Sequence, residues 1–443
     1  MRTLLDQIKS ELALPGDRMP VLAYIIAGGI ILVPVALLGK GLVDVALSTA
    51  AATFLLRSII QRDVSWMREP WITAAIVLWV YITLRGFLSI DPAESGVKAL
   101  GWIRFIVFGA ALQFVLTKSP GVRQALLYSI VAMTVFGAAD ALFQYFVGRD
   151  IFGQPMHPGN RLTGPLQNPS IAMLLLFAGL PATIYLLKNA TAGIQARQIR
   201  WWSIIALGMI FATIALAGER MALLMSFPIL ALVLLLLLKS PVKSALVTAV
   251  YIGAVAAVFF AAPETRQRQL STISEVSTGT SSVYTRVMIA GLRVIEDNPV
   301  FGVGIKNFKA HCPQSATEAE VGNACFYIHP HQVWLHITSE TGLLGAAGFL
   351  TVFVLALTPA VRLWRSWIQE PLLAGATIAV LVRLLPFTPS GNFFSNWRES
   401  FFWFLLGTSA AMARIMLQER QPAQSTQASG DQPPHSAQAT PSS

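Results

Sequence analysis

The sequence predicts an all-α, polytopic integral membrane protein with about twelve transmembrane helices and one large loop on the outer face. Three observations carry this. Of 443 residues, 54% are hydrophobic and only 12% charged, about half the charged share of a soluble domain, so hydrocarbon must be the main solvent. Runs close to the ~20 apolar residues that a bilayer core demands recur along the chain. Lys and Arg collect in alternate connections, the bias that sets orientation during insertion.

The apolar runs fall near 20–38, 42–60, 70–88, 99–117, 122–147, 167–187, 201–218, 221–238, 243–262, 333–360, 371–387 and 399–417. Gly39-Lys40-Gly41 and Gly218-Glu219-Arg220 are so short that each is either a tight turn or a break inside a bent helix. Residues 1–19 are polar, and the apolar run that follows has no convincing small-residue cleavage site, so the first helix is expected to direct insertion. Arg2, Lys9 and Arg18 precede the first helix; Arg57, Arg62 and Arg68 follow the second; Lys118 and Arg123, Lys188, Arg197 and Arg200, Lys239 and Lys243, and Arg362 and Arg365 follow in register. Both termini are therefore expected in the cytoplasm. Asp91–Lys98, Gly148–Pro165, Ala262–His331 and Thr388–Arg398 fall on the opposite face.

This divides the chain into a cytoplasmic N-terminus (1–19), helices one to nine (20–262), the large loop (263–332), helices ten to twelve (333–417) and a C-terminal segment (418–443). That last segment is Gln, Pro, Ser, Ala and Thr with almost no apolar bulk, and is expected to be a disordered tail. No fixed-period repeat or inverted symmetry of broken helices is evident, which weighs against a transporter. The net charge of +10 is dispersed over topology-setting loops and does not point to nucleic acid.

The large loop is the only long polar stretch between spans. It holds both cysteines, Cys312 and Cys325, whose spacing favours a disulfide around the acidic run Glu318–Glu320 in an oxidising compartment. Neither is flanked by groups that would activate a thiolate, and the spacing fits no compact zinc motif. Val283, Val287, Ala290, Val294 and Ile295 are near helical spacing, so Val283–Asp297 reads as an amphipathic helix lying along the membrane, with Arg286 and Arg293 on it. Asn298-Pro299 stops this helix, and Gly302-Val303-Gly304 permits a tight turn before Asn307-Phe308.

Candidate chemistry concentrates where this loop meets the tenth apolar run, at His329-Pro330-His331-Gln332. On extended chain the two histidines point the same way, and a ring that titrates near neutrality suits a general base. No compact carboxylate pair lies beside them in sequence, which favours a metal-free base over a metal site. Arg220 sits at a turn between two long apolar helices, where a charge must be paired or wet. It serves either as an ion-pair partner of Glu219 or Glu340, or as an anion contact at headgroup level, a task suited to its planar two-donor fork. Arg161, in Asn160-Arg161-Leu162-Thr163-Gly164-Pro165, either caps a helix start or meets a headgroup.

His331-Gln332 followed by Gly342 and Gly345 resembles the signature of O-antigen ligases. The Arg161–Gly164 segment, the Arg220–Leu224 segment, and Tyr284–Arg286 followed by Asn298-Pro299 and Gly302–Phe308 are also similar to that family's pattern, over about residues 150–410. The resemblance implies a membrane-embedded glycosyltransferase with a large periplasmic loop in the bacterial inner membrane. Such an enzyme moves polysaccharide from undecaprenyl diphosphate to the core sugar of lipid A, using no nucleotide, cofactor or metal. On that reading His331 is the base, Arg220 and Arg286 meet the diphosphate, and Arg161, His329, Gln332 and Arg293 complete the substrate contacts. O-antigen polymerases and protein O-oligosaccharyltransferases share most of these motifs. The latter usually carry a folded periplasmic portion near the C-terminus, whereas here a disordered tail is expected, which favours the ligase.

Overall fold

The computed structural model describes residues 19–157, 160–166, 171–191, 197–261, 266–267, 283–327, 329–386, 388 and 390–430, except the side chains of Lys40 and 421–430. The helices are α1 (Pro20–Ala36), α2 (Lys40–Gln61), α3 (Pro70–Phe87), α4 (Pro92–Gly101), α5 (Ile103–Lys118), α6 (Pro120–Val147), α7 (Ile171–Phe177), α8 (Leu180–Thr191), α9 (Arg197–Leu216), α10 (Arg220–Leu238), α11 (Pro241–Ala261), α12 (Val283–Asp297), α13 (Phe308–Ser315), α14 (Glu318–Val321), α15 (Val333–Arg362), α16 (Pro371–Arg383) and α17 (Asn396–Gly430). Among the described residues there is no β-strand, only two isolated bridges.

The hydropathy pattern and the helices coincide closely. Nine described helices, counting α4 and α5 as one, are long and apolar enough to cross a membrane, or ten if the bent pair α7–α8 is a single span. The other two of the twelve expected runs are occupied by the shorter apolar helices α1 and α16. Both short connections separate two helices, since α1 ends at Ala36 before α2 starts at Lys40, and α9 ends at Leu216 before α10 starts at Arg220.

Three stretches differ from expectation. The sixth span is not one helix: α7 and α8 meet at 62°. Pro181 at the start of α8 has no N–H to continue the ladder, and Gly375 of α16 packs directly on Pro181, with no room for a Cβ. Asp91–Lys98, expected as an outer connection, is mostly helical, because Asp91 caps α4 by accepting from the Glu94 N–H at 3.0 Å with Pro92 at the first position. The expected disordered segment 418–443 is helical as far as Gly430. Once a long helix is nucleated, each further residue adds one hydrogen bond for one residue fixed. Its junction is also held by Arg123–Glu419 at 3.4 Å and by Arg420 on Ser366.

Between helices the core is aromatic. Trp102 meets Trp403 edge to face at 4.9 Å and Phe349 at 5.6 Å, and Phe393 meets both Phe349 and Phe402. Within this apolar mass Glu399 is fully buried, accepting from Lys98 Nζ and Trp102 Nε1, both at 2.7 Å. A second, smaller core of Val287, Ala290, Val294, Val303, Phe308 and Cys312 lies in the large loop, so the loop forms a cap with its own interior.

Candidate active site

His331 lies between the cap and the bundle. Its φ of +56° places a non-glycine residue in the left-handed region, a conformation that persists only where surroundings impose it and that clusters at functional sites. The imposing contact is a hydrogen bond from the Ser390 N–H to the His331 carbonyl, 2.8 Å. Tyr284 of α12 and Tyr327 stand edge-on to the imidazole at 5.5 and 5.6 Å, and the His329 ring lies 4.3 Å away. The ring is only half-buried, and the Ser390 backbone lies against it as a hydrogen-bond partner that favours its charged form.

His329 does not fit its expected role as a substrate contact. It is 6% exposed, and its ring packs between those of His331 and His336. Burial drives its pKa from the ordinary 6.5 to about 2, with the positive fields of His336, His331 and Arg398 adding to the shift. His331 is lowered too, first by burial and then by Arg398. Both imidazoles are therefore neutral at pH 7. The unfolded chain takes up these protons near pH 6.5 while the folded chain does so only at lower pH, so the unfolded state binds more protons and stability falls as pH drops below about 6.5. Each histidine contributes a slope of at most ~1.4 kcal/mol per pH unit. Thermal denaturation at a series of pH values should show His329→Asn with a shallower acid loss than the parent protein; an unchanged slope refutes the buried-neutral assignment.

Gln332 also has a structural task. It is the N-cap of α15, accepting from the Leu335 N–H at 2.5 Å and donating to the Pro386 carbonyl at 3.0 Å. One turn on, His336 receives the Phe393 N–H on Nδ1 at 3.2 Å, so its proton sits on Nε2, which faces Glu340 Oε1 at 3.4 Å. Glu340 is 1% exposed. Its oxygens accept from the Lys306 N–H at 2.7 Å and the Phe308 N–H at 3.3 Å, and its carbonyl accepts from Gly304 at 2.8 Å. One carboxylate thus ties the Gly302–Phe308 turn to α15 and, through His336, to the loop that holds His331.

The turn enters α15 at a break. Gly342 has φ +68° and ψ −178° inside the helix, and Leu343 and Leu344 donate to Pro299 and Val300 of the cap in place of an intrahelical carbonyl. Gly302, at φ +66°, lies against the Gly342 amide with no space for a Cβ on either residue. From α3, Arg85 donates to the Gly302 carbonyl at 2.6 Å and the Tyr81 hydroxyl to the Thr341 carbonyl at 2.7 Å.

The arginines fall into three groups. Arg293 pairs with Glu296 at 2.8 Å and Glu320 at 3.0 Å, bracing the cap, so it is occupied by carboxylates rather than open to substrate. Arg286 is exposed, with its guanidinium against Gly322 of the same cap. Arg161 and Arg220 come from connections that meet: the Leu162 N–H donates to the Ala217 carbonyl at 3.3 Å, next to the Gly218-Glu219-Arg220 turn. Glu219 is in electrostatic reach of Arg398, and Arg398 in turn acts on His329, His331 and Arg383. Arg383 is stacked between Phe177 and Phe401 at 5.7 and 5.0 Å. Arg398 is thus the arginine that acts on the histidines, with Arg383 and Glu219 acting on or acted on by Arg398 in turn.

Arg398 is the main residue that sequence reasoning missed as chemistry, having been named only as the end of the outer segment Thr388–Arg398. Cys312 and Cys325 are bonded, with Cα atoms 5.4 Å apart, closing the segment that carries Glu320. Among the described residues no group of three or more His, Cys, Asp or Glu is arranged to hold a metal ion.

Bundle, cap and histidine site together define a multi-pass helical membrane protein with a polar site under a disulfide-bonded cap. The sequence pattern of a family described as O-antigen ligase matches residues 204–350, which supports membership of the O-antigen ligase superfamily. The matched region runs from α9 through the cap into α15 and includes Arg220, Arg286, His331, Gly342 and Gly345; Arg161, Arg383 and Arg398 lie outside it. No curated protein gives a significant match.

Proposed function

We propose that the protein is an O-antigen ligase, transferring polysaccharide from undecaprenyl diphosphate to the lipid A-core oligosaccharide at the periplasmic side of the bacterial inner membrane, with both termini in the cytoplasm. The observation that carries this is the half-exposed, neutral His331 ring beside Arg398 at the junction of bundle and cap. His331 accepts the proton of the acceptor hydroxyl as that oxygen attacks the anomeric carbon. The bond from this carbon to the diphosphate breaks, and its electron pair leaves with the diphosphate. Charge grows there in the transition state, so nearby guanidinium groups stabilise it more than the ground state. Arg220 and Arg398 are assigned to this task, with Arg161 beside them and Arg286 meeting the donor at the cap surface.

Purified protein supplied with lipid-linked glycan and either lipid A-core or a second lipid-linked glycan tests the reading. Product on lipid A-core supports the ligase, elongation of the second donor makes it a polymerase, and vectorial movement without transfer overturns both. Arg220→Lys keeps the charge and loses the two-donor geometry, so turnover should fall about tenfold, and Arg220→Ala by about 10²–10³. Equal activity of the Lys and Ala variants would remove Arg220 from the diphosphate. Since the scheme routes no step through a metal, transfer should continue in chelator. A loss restored by a divalent ion would require a different mechanism.

A further inference from the structure

Away from the histidines, a crevice of about 230 Å³ opens between α3, α5, α15 and α17. Arg85 at the last turn of α3 touches the cap, whereas Glu69 immediately before α3 lines this crevice, so the two sites lie about 24 Å apart along the helix. Its walls are apolar, with Leu355 and Leu417 exposed towards the opening and Trp71 and Ala356 buried behind them.

Two polar features break that surface. Gln113 lines the crevice at 7% exposure, and its side-chain amide makes no hydrogen bond among the described residues; only its backbone carbonyl is used, by the Thr117 hydroxyl. The amide is not among the buried polar atoms left without a partner, so it opens into the crevice, where an occupant with an oxygen at this depth gains a donor. At the mouth stands Arg414, paired with Glu69. Arg68 is exposed next to Glu69, and Arg362 is exposed one turn beyond Pro359, another lining residue. The rim therefore carries more positive than negative charge at the end of the bundle where the basic connections gather.

We infer that this crevice is a binding site for one anionic glycerophospholipid: its phosphate meets Arg414 and the neighbouring arginines, an ester carbonyl accepts from the Gln113 amide, and an acyl chain lies against Leu355 and Leu417. A zwitterionic lipid offers the same ester and chain but carries a choline that the basic rim repels. The site is independent of the proposed transfer reaction, and its test needs no transferase assay.

The full-length protein in detergent is titrated with phosphatidylglycerol or phosphatidylcholine, and bound lipid is counted by native mass spectrometry. One phosphatidylglycerol per chain should be retained in preference to phosphatidylcholine. Gln113→Leu, similar in size but without a donor, should lower phosphatidylglycerol retention about fivefold, the factor carried by one hydrogen bond, with thermal stability maintained. Glu69→Gln leaves Arg414 unneutralised and should raise retention. Equal retention of the two lipids overturns the assignment. So does a Gln113→Leu protein that holds as much phosphatidylglycerol as the parent, which would mean that Gln113 meets only water.

Discussion

Replacing His331 by Ala should abolish glycan transfer, a loss of about 10²–10⁴-fold in turnover, while leaving the fold intact. The separation of the two effects follows from the local geometry. The contact that fixes this residue is made by its backbone carbonyl with the Ser390 N–H, and Ala retains that carbonyl. The imidazole's only hydrogen-bonding neighbour among the described residues is the Ser390 backbone, whose N–H stays bonded to the carbonyl at position 331 when the ring is removed. What is lost is a neutral base beside Arg398. Turnover on a lipid-linked donor, measured alongside melting temperature and gel filtration in detergent, decides the matter: near-normal turnover would remove His331 from the chemistry, and a collapsed melting temperature would make its role structural.

Gly342→Ala should be the most damaging single-methyl addition in the chain, destabilising on the order of 4 kcal/mol or more. The backbone at φ +68°, ψ −178° is accessible in practice only to glycine, and the new Cβ would run into the carbonyl of Val300, which is backbone and cannot rotate away. Leu343 and Leu344 would lose their bonds to Pro299 and Val300 if the strands of chain separated to make room. Gly345→Ala is the internal comparison. There the Cβ meets chiefly the Thr341 side chain, so its cost should be smaller. Equal melting temperatures for the two variants would contradict the special status of the Gly342 break.

Both glycines were visible in the sequence only as a spacing after His331. Why the first matters was not, because the clash is with Val300, some forty positions earlier in the chain. The spans were legible because hydrocarbon imposes one length and one composition on every helix. The break in the sixth span had a visible mark in Pro181, outweighed by the continuous apolar run around it, and the Asp91-Pro92 start of α4 carried a cap signal within an apparently polar connection. The limits of Val283–Asp297 followed from its periodicity and from Asn298-Pro299. The arginine set was not readable, because Arg398 reaches the histidines, and Arg383 reaches Arg398, only through the fold. His336 and Glu340 share one helix face at a spacing of four, yet that spacing suits any helical pair, and nothing local reveals that the carboxylate receives amides from the cap.

That reception has a bearing on how the chain is built into a membrane. A helix carrying a bare carboxylate eight residues inside its apolar start is poorly suited to sideways release into lipid. In this chain the segment 302–308 is synthesised before residue 340, so the amides that hydrogen-bond to the Glu340 carboxylate already exist when α15 emerges. The cap with its own small core is then a docking template awaiting its last helix, and the order of elements along the polypeptide doubles as an order of assembly.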